Sequence, residues 1–294
     1  MKKIKVMMLM VAACLAGCSS DDEPQNQQGE APRLMIVDVS GKPVDGGKKS
    51  APRTNRTAAY TTTATLSSFS MNYLDNKYDF KKTGESWSAD YTWPVQGDDD
   101  KIDFYAYTYK EGKCTFNYNG GNPYVAFTVE ESVSSQYDLL VAEHKQISYN
   151  DAGGHVSLTF DHACAIVQFN VCLTADLRDQ VGSSLTVNSI ILRNVNNQGD
   201  YYYASKSWSN VSGTAYYTLT TREITVTTDS QRLTCGYLFM IPQQRVKNGT
   251  EGTYLEINYT HNGAKQATIP LDINWSAGKL YTRDIVLGTA VITL

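Results

Sequence analysis

Tyr254-Leu255-Glu256-Ile257-Asn258-Tyr259-Thr260 sets apolar Leu255, Ile257 and Tyr259 against polar Glu256, Asn258 and Thr260. A period of two sends one set to each face of a strand, so the stretch predicts a half-buried antiparallel strand. Similar runs follow it at 267–273 and 280–294. Others precede it at 236–241, 224–227, 215–219, 185–192, 165–172 and 156–160. The series continues through 124–129, 102–109, 60–73 and 33–39 toward the start of the chain. Runs spaced by about ten residues, with Gly, Asn and Pro between them, predict a sandwich or barrel. The 20 tyrosines among 294 residues agree, because aromatic rings suit a pleated surface. Helical periodicity is confined to 135–144 and 174–181, a turn or two each. The turn-rich Asn150-Asp151-Ala152-Gly153-Gly154 is the best place to divide the chain. The expectation is an all-β chain of two tandem β-sandwich domains of Greek-key, transthyretin-like type, residues 34–150 and 151–294.

The first residues decide the compartment. Lys2, Lys3 and Lys5 precede an apolar run, 6–15, that is too short to span a bilayer. Leu15-Ala16-Gly17-Cys18 resembles the lipobox of bacterial lipoproteins, which implies that residues 1–17 are removed and that lipid is joined to the Cys18 sulfur. Residues 18–33 read as an acidic, polar tether with little to bury. Their acidic run resembles surface-export signals of some Gram-negative lipoproteins. No later run approaches the ~20 apolar residues of a spanning helix, so membrane attachment rests on the lipid. A net charge of −4 argues against a general nucleic-acid binder.

Chemistry-bearing patterns are sparse. His144, His155, His162 and His261 form no HExxH or paired spacing, and His162 reads as a satisfied core histidine. Asp98-Asp99-Asp100 lacks the spacing of a calcium loop and reads as a solvated turn. There is no GxSxG turn, P-loop or dinucleotide fingerprint, so no catalytic residue, metal or cofactor is expected. Cys114, Cys164, Cys172 and Cys235 fall in or beside apolar runs without a CxxC pair. Cys164 and Cys172, eight residues apart in one predicted strand, would sit about 26 Å from each other, beyond disulfide reach. Free core thiols are the favoured reading, with other pairings left open.

Several segments together resemble the bacterial fimbrillin family, the subunits of type V pili. The densest runs from Val156 to Val171 and contains Leu158-Thr159-Phe160-Asp161-His162-Ala163. Tyr137-Asp138-Leu139-Leu140-Val141-Ala142, the stretch from Thr186 to Leu192 leading to Gly199, Ile241-Pro242-Gln243 and Trp275-Ser276-Ala277-Gly278-Lys279-Leu280-Tyr281 follow the family's order. Trp93-Pro94 and the stretch from Ile102 to Tyr107 also fit.

The resemblance implies an outer-membrane lipoprotein precursor that ends up at the cell surface in a pilus supporting adhesion. A trypsin-like protease cuts in a loop after the first strand. That strand leaves with the lipid, and a strand from another subunit fills the vacated groove. On this sequence the removable strand is 34–39, with Met35, Val37 and Val39 on one face and Leu34 and Ile36 on the other. The cut falls after Arg56, or else Arg53, within 34–56. The candidate donor is 286–294, with Val286, Ala290, Ile292 and Leu294 on one face. Partners are then other pilus subunits, the protease and, before processing, the outer membrane. Stalk, tip and anchor roles stay open. The alternative is a lipid-anchored glycan-binding protein, with Tyr201, Tyr202, Tyr203, Trp208, Tyr216 and Tyr217 as its aromatic platform.

Overall fold

Alternation carries directly into strands. The structure, a computed structural model, describes residues 33–42, 66–87, 91–95, 97–220 and 222–293. In chain order the first strands are β1 (Ile36–Gly41), β2 (Ser68–Tyr73), β3 (Asn76–Thr83), β4 (Ser86–Trp87) and β5 (Ile102–Tyr107). Then come β6 (Cys114–Asn119), β7 (Asn122–Thr128), β8 (Leu140–Ile147), helix α1 (Tyr149–Ala152), β9 (His155–His162) and β10 (Ala165–Leu173). Helix α2 (Ala175–Val181) precedes β11 (Leu185–Val195), β12 (Gln198–Tyr202), β13 (Ser207–Ser212), β14 (Ala215–Thr218) and β15 (Ile224–Val226). The last are β16 (Gln231–Met240), β17 (Gln244–Arg245), β18 (Tyr254–Thr260), β19 (Ala264–Pro270), β20 (Ile273–Asn274) and β21 (Leu280–Leu287). The fold is an all-β sandwich, as the sequence predicted.

Seven strands form one sheet in the order β1-β9-β8-β5-β2-β3-β4. It curls until its two edges, β1 and β4, face each other. Inside the curl, Met35, Val37, Phe69, Met71, Phe80, Phe104, Leu158 and Phe160 form one core. A second core is built from a three-stranded sheet, β16-β10-β21, and a five-stranded one in which β14, β11, β18 and β19 follow in order and β15 also pairs with β11. A four-stranded sheet, β13-β12-β7-β6, contributes Val125, Phe127 and Tyr201 to that second core.

The two cores share strands. Phe104 and Ala106 of β5 enter the first, while Tyr105 and Tyr107 enter the second. In β8, Leu140 and Ala142 face the first and Val141 the second. Strands buried on both faces read as unbroken apolar runs, which is why 104–107 and 139–142 show no alternation. The same burial overturns the helical reading of 135–144: a 3-10 turn at Val133–Ser135 gives way to β8. The other helical reading holds as α2, whose capping Thr174 hydroxyl accepts the Leu177 N–H at 3.3 Å. Residues 150–154 join β8 to β9 inside one sheet, and from Ala163 onward the buried apolar residues all belong to the second core.

Candidate functional site

β1 is an edge strand. Among the described residues it pairs only with β9, in parallel, from Ile36 opposite His155 to Gly41 opposite Phe160. Its flanks are stitched in by backbone bonds: Met35 N–H donates to the Tyr91 carbonyl (2.8 Å), and Ile36 N–H to that of Gly154 (2.9 Å). At the far end Lys42 N–H donates to the Phe160 carbonyl (2.9 Å). Met35 is fully buried and Val37 nearly so, while Leu34 and Ile36 are 47% and 42% exposed. The sequence assigned those two faces correctly. Val39 is half-buried. Burial of Met35 and Val37 contributes roughly 3–6 kcal/mol toward holding the strand.

Polar contacts along the same seam add little. Asp38 meets His155 at 2.8 Å, Ser40 meets the Thr159 hydroxyl at 3.0 Å, and the Lys42 ammonium meets Asp161 at 2.8 Å. All three are exposed, where such pairs are worth about 0–1 kcal/mol. Between β1 and β4 runs a crevice lined by Ile36, Asp38, Val39, Lys82, Glu85 and Trp87. Among the described residues β1 is therefore bonded to one strand, held mainly by two side chains, and separated from β4 by the crevice along its other edge.

Gly154 sets where β1 begins. Its φ of +80° is a left-handed conformation, and a Cβ there would lie 2.8 Å from the Leu34 carbonyl oxygen. At the other end, buried His162 pairs through Nδ1 with the Asp138 carboxylate, and its ring also bonds the Lys42 backbone. Burial opposes charge on His162, but the hydrogen bond and charge of Asp138 outweigh it, so its pKa lies above the usual histidine value. Two sequence segments far apart in the chain, 137–142 and 158–163, thus meet at the point where β1 leaves the sheet. His162 is a partnered core histidine.

The last strand is also an edge strand. β21 pairs in parallel with β10, from Leu280 opposite Ile166 to Leu287 opposite Leu173. The run 286–294 is not one extended strand here: β21 ends at Leu287 and 289–291 form a turn. Gly288 ends the pairing, and its carbonyl accepts both the Val291 and Ile292 N–H groups at 2.9 Å. Val286 is half exposed, Ala290 is exposed and Ile292 is buried. Cys18, Arg53, Arg56 and Leu294 lie outside the described residues.

The aromatic platform does not assemble. Tyr201, Tyr203 and Tyr217 are core residues, and the Tyr203 hydroxyl donates to the Ala106 carbonyl at 2.9 Å. Trp208 packs on the second core and donates to the Ala163 carbonyl at 2.7 Å. Tyr202 and Trp208 are half-buried and Tyr216 is exposed, but Tyr216 stands on β14, in a different sheet from β12 and β13, which carry the other two. Among the described residues no group of three or more His, Cys, Asp or Glu could hold a metal ion. Cys114, Cys164, Cys172 and Cys235 are free thiols, and burial pushes Cys114 up to about 12.

Residues 54–294 match the model of a family described as fimbrillin-like. The chain belongs to that family. This fimbrillin-like protein shares its fold with a fimbrial protein from Bacteroides vulgatus, at 18% identity and a TM-score of 0.57, over 89% of this chain and 96% of that one. A candidate cell adhesion protein from Bacteroides ovatus superposes with a TM-score of 0.53 at 11% identity, over 90% and 95% of the two chains. Another from Parabacteroides distasonis gives 0.52 at 9%, over 90% and 91%. Among curated proteins none matches this sequence significantly. Family membership points to a cell-surface subunit of pilus type.

The segments that carried the resemblance turn out to be packing and turn chemistry. Gln243 holds the Asn196 backbone through both ends of its amide, at 3.0 and 3.1 Å, and its own carbonyl accepts the Trp275 N–H at 2.9 Å. Gly278, at φ +67°, lets its N–H reach the Cys164 carbonyl at 2.9 Å. What sequence reasoning missed are the partners of β1 and of the final turn. Nothing in the sequence sets Tyr91 or Gly154 beside residues 35 and 36, or Tyr259 beside Thr293, and only folding brings them to these places.

Proposed function

We propose that the protein is a structural pilus subunit, exported as a lipoprotein through Cys18, that polymerises by strand exchange after β1 is removed. The observation that carries this reading is β1 itself, an edge strand with one hydrogen-bonded neighbour among the described residues and an inward face of Met35 and Val37. Its departure would uncover the β9 edge together with Val156, Leu158 and Phe160. Unpaired backbone and apolar side chains in one groove form a template for an added strand. In the same reading a trypsin-like protease cuts after Arg56 or Arg53. The arriving strand comes from the 286–294 region of a second subunit, of the same or another kind. The role is structural rather than catalytic.

The test is the double substitution Arg53→Ala/Arg56→Ala. Surface material from wild type should start just after one of these arginines and run as ladders on gels after mild heating. The double variant should remain a lipid-bearing monomer. Wild-type protein that keeps Cys18 and stays monomeric at high concentration would refute the proposal.

A further inference from the structure

The residues that would have to leave as a donor strand are fastened down in the monomer by one hydroxyl. The Tyr259 side chain of β18 is buried, and its hydroxyl donates to the Thr293 carbonyl at 2.8 Å while accepting the Thr293 N–H at 3.1 Å. Lys265, on the neighbouring β19, adds a second donor to the same carbonyl at 3.2 Å. Between these bonds and β21, the 288–292 turn closes on the Gly288 carbonyl and buries Ile292. An extended strand cannot coexist with that turn: the Val291 and Ile292 bonds to Gly288 must open, and both bonds of Thr293 must break first or together. Thr293 is itself exposed, so the clamp acts on backbone at the surface rather than on a core side chain.

The geometry points to an autoinhibitory latch: Tyr259, assisted by Lys265, holds 288–293 folded on its own subunit and limits the rate at which this segment is offered to a second copy of the chain. This rests on the strand-exchange reading and adds to it what keeps an uncommitted subunit from donating. A latch of two or three hydrogen bonds, each worth a modest net amount against water, suits a contact that must hold and yet release. The open form would then be a minor population that the vacated groove of another subunit selects.

Tyr259→Phe keeps the ring and removes both bonds, whereas Lys265→Met alters only the exposed donor and cannot empty the core. Both are made in the full chain, with thermal melts confirming that each still folds. Amide exchange of residues 291–293 in the uncut monomer reads the latch, and the rate of ladder formation after trypsin-like cleavage reads its consequence. Tyr259→Phe is expected to speed both by about tenfold, the equivalent of one to two net hydrogen bonds, and Lys265→Met by a smaller factor in the same direction. Unchanged exchange at 291–293 in Tyr259→Phe would overturn the latch while leaving strand exchange standing. Faster exchange without faster assembly would overturn its regulatory role. Should the Phe variant fail to fold, the Lys265→Met pair of rates decides on the same criteria. Wild-type protein that never assembles after cleavage would instead sink the underlying reading, and the latch with it.

Discussion

Met35→Ala offers the sharpest measurement of how β1 is held. Met35 is fully buried in the first core, against neighbours that include Phe69, Phe80, Trp93 and Phe160 in the same cluster. Truncating a buried methionine to alanine costs about 2–5 kcal/mol, and a site on an edge strand can partly collapse, so about 2–4 kcal/mol is expected here. At roughly 2–4 °C per kcal/mol for a domain of this size, the melting temperature of the uncut protein should fall by about 5–15 °C. Ile36→Ala, one residue along on the exposed face, should cost under about 1 kcal/mol. The assay is thermal unfolding followed by circular dichroism, run before and after removal of the leading segment by a trypsin-like protease. Before cleavage the two variants should differ strongly. After cleavage and release of β1 both should melt with wild type, because the altered residue has gone. Equal, small losses for Met35→Ala and Ile36→Ala would refute the argument that the inward face holds this strand, and with it the groove it is said to leave.

Two further outcomes follow from the same site. Gly154→Ala places a methyl 2.8 Å from the Leu34 carbonyl oxygen and forces a left-handed φ of +80° on a residue with a Cβ, so it should destabilise by about 1–3 kcal/mol. Proteolysis at the start of β1 should become faster with it, and an unchanged digestion rate would argue against Gly154 as the entry point. For His162, the folded pKa is raised, so the protonated form stabilises the fold. That contribution is complete below about pH 6.5 and is lost as pH rises through the elevated value. Asp138→Asn should therefore lower the urea midpoint most near pH 6 and progressively less toward pH 9; a gap that widens in alkali would contradict the pairing.

Much of this molecule was legible as pattern. The two faces of β1, the alternation of β18 and the capped α2 all depend on short-range periodicity, which a single chain displays openly. Polar strands were not legible. β3 carries Asn76, Lys77, Asp79, Lys81 and Lys82 and buries only Phe80, so its pairing with β2 and β4 rather than its own pattern makes it a strand. Likewise, β6 depends on β7, and β12 on β7 and β13, since hydrogen-bonded neighbours rather than local propensity decide a half-exposed strand.

The candidate site divides in the same way. Apolar alternation at 34–39 announced a strand with something to bury, and the lipobox-like start set the expectation of export. Neither could say that β1 stands at an edge, in parallel with β9, with its open side toward β4. Nor could a run of apolar residues at 286–294 disclose that its pairing stops at Leu287 and that Tyr259 grips Thr293. Burial preference is a property of side chains in order along the chain; edges, partners and closing bonds are properties of which strands lie side by side. The first is written residue by residue, and the second exists only once distant segments have met.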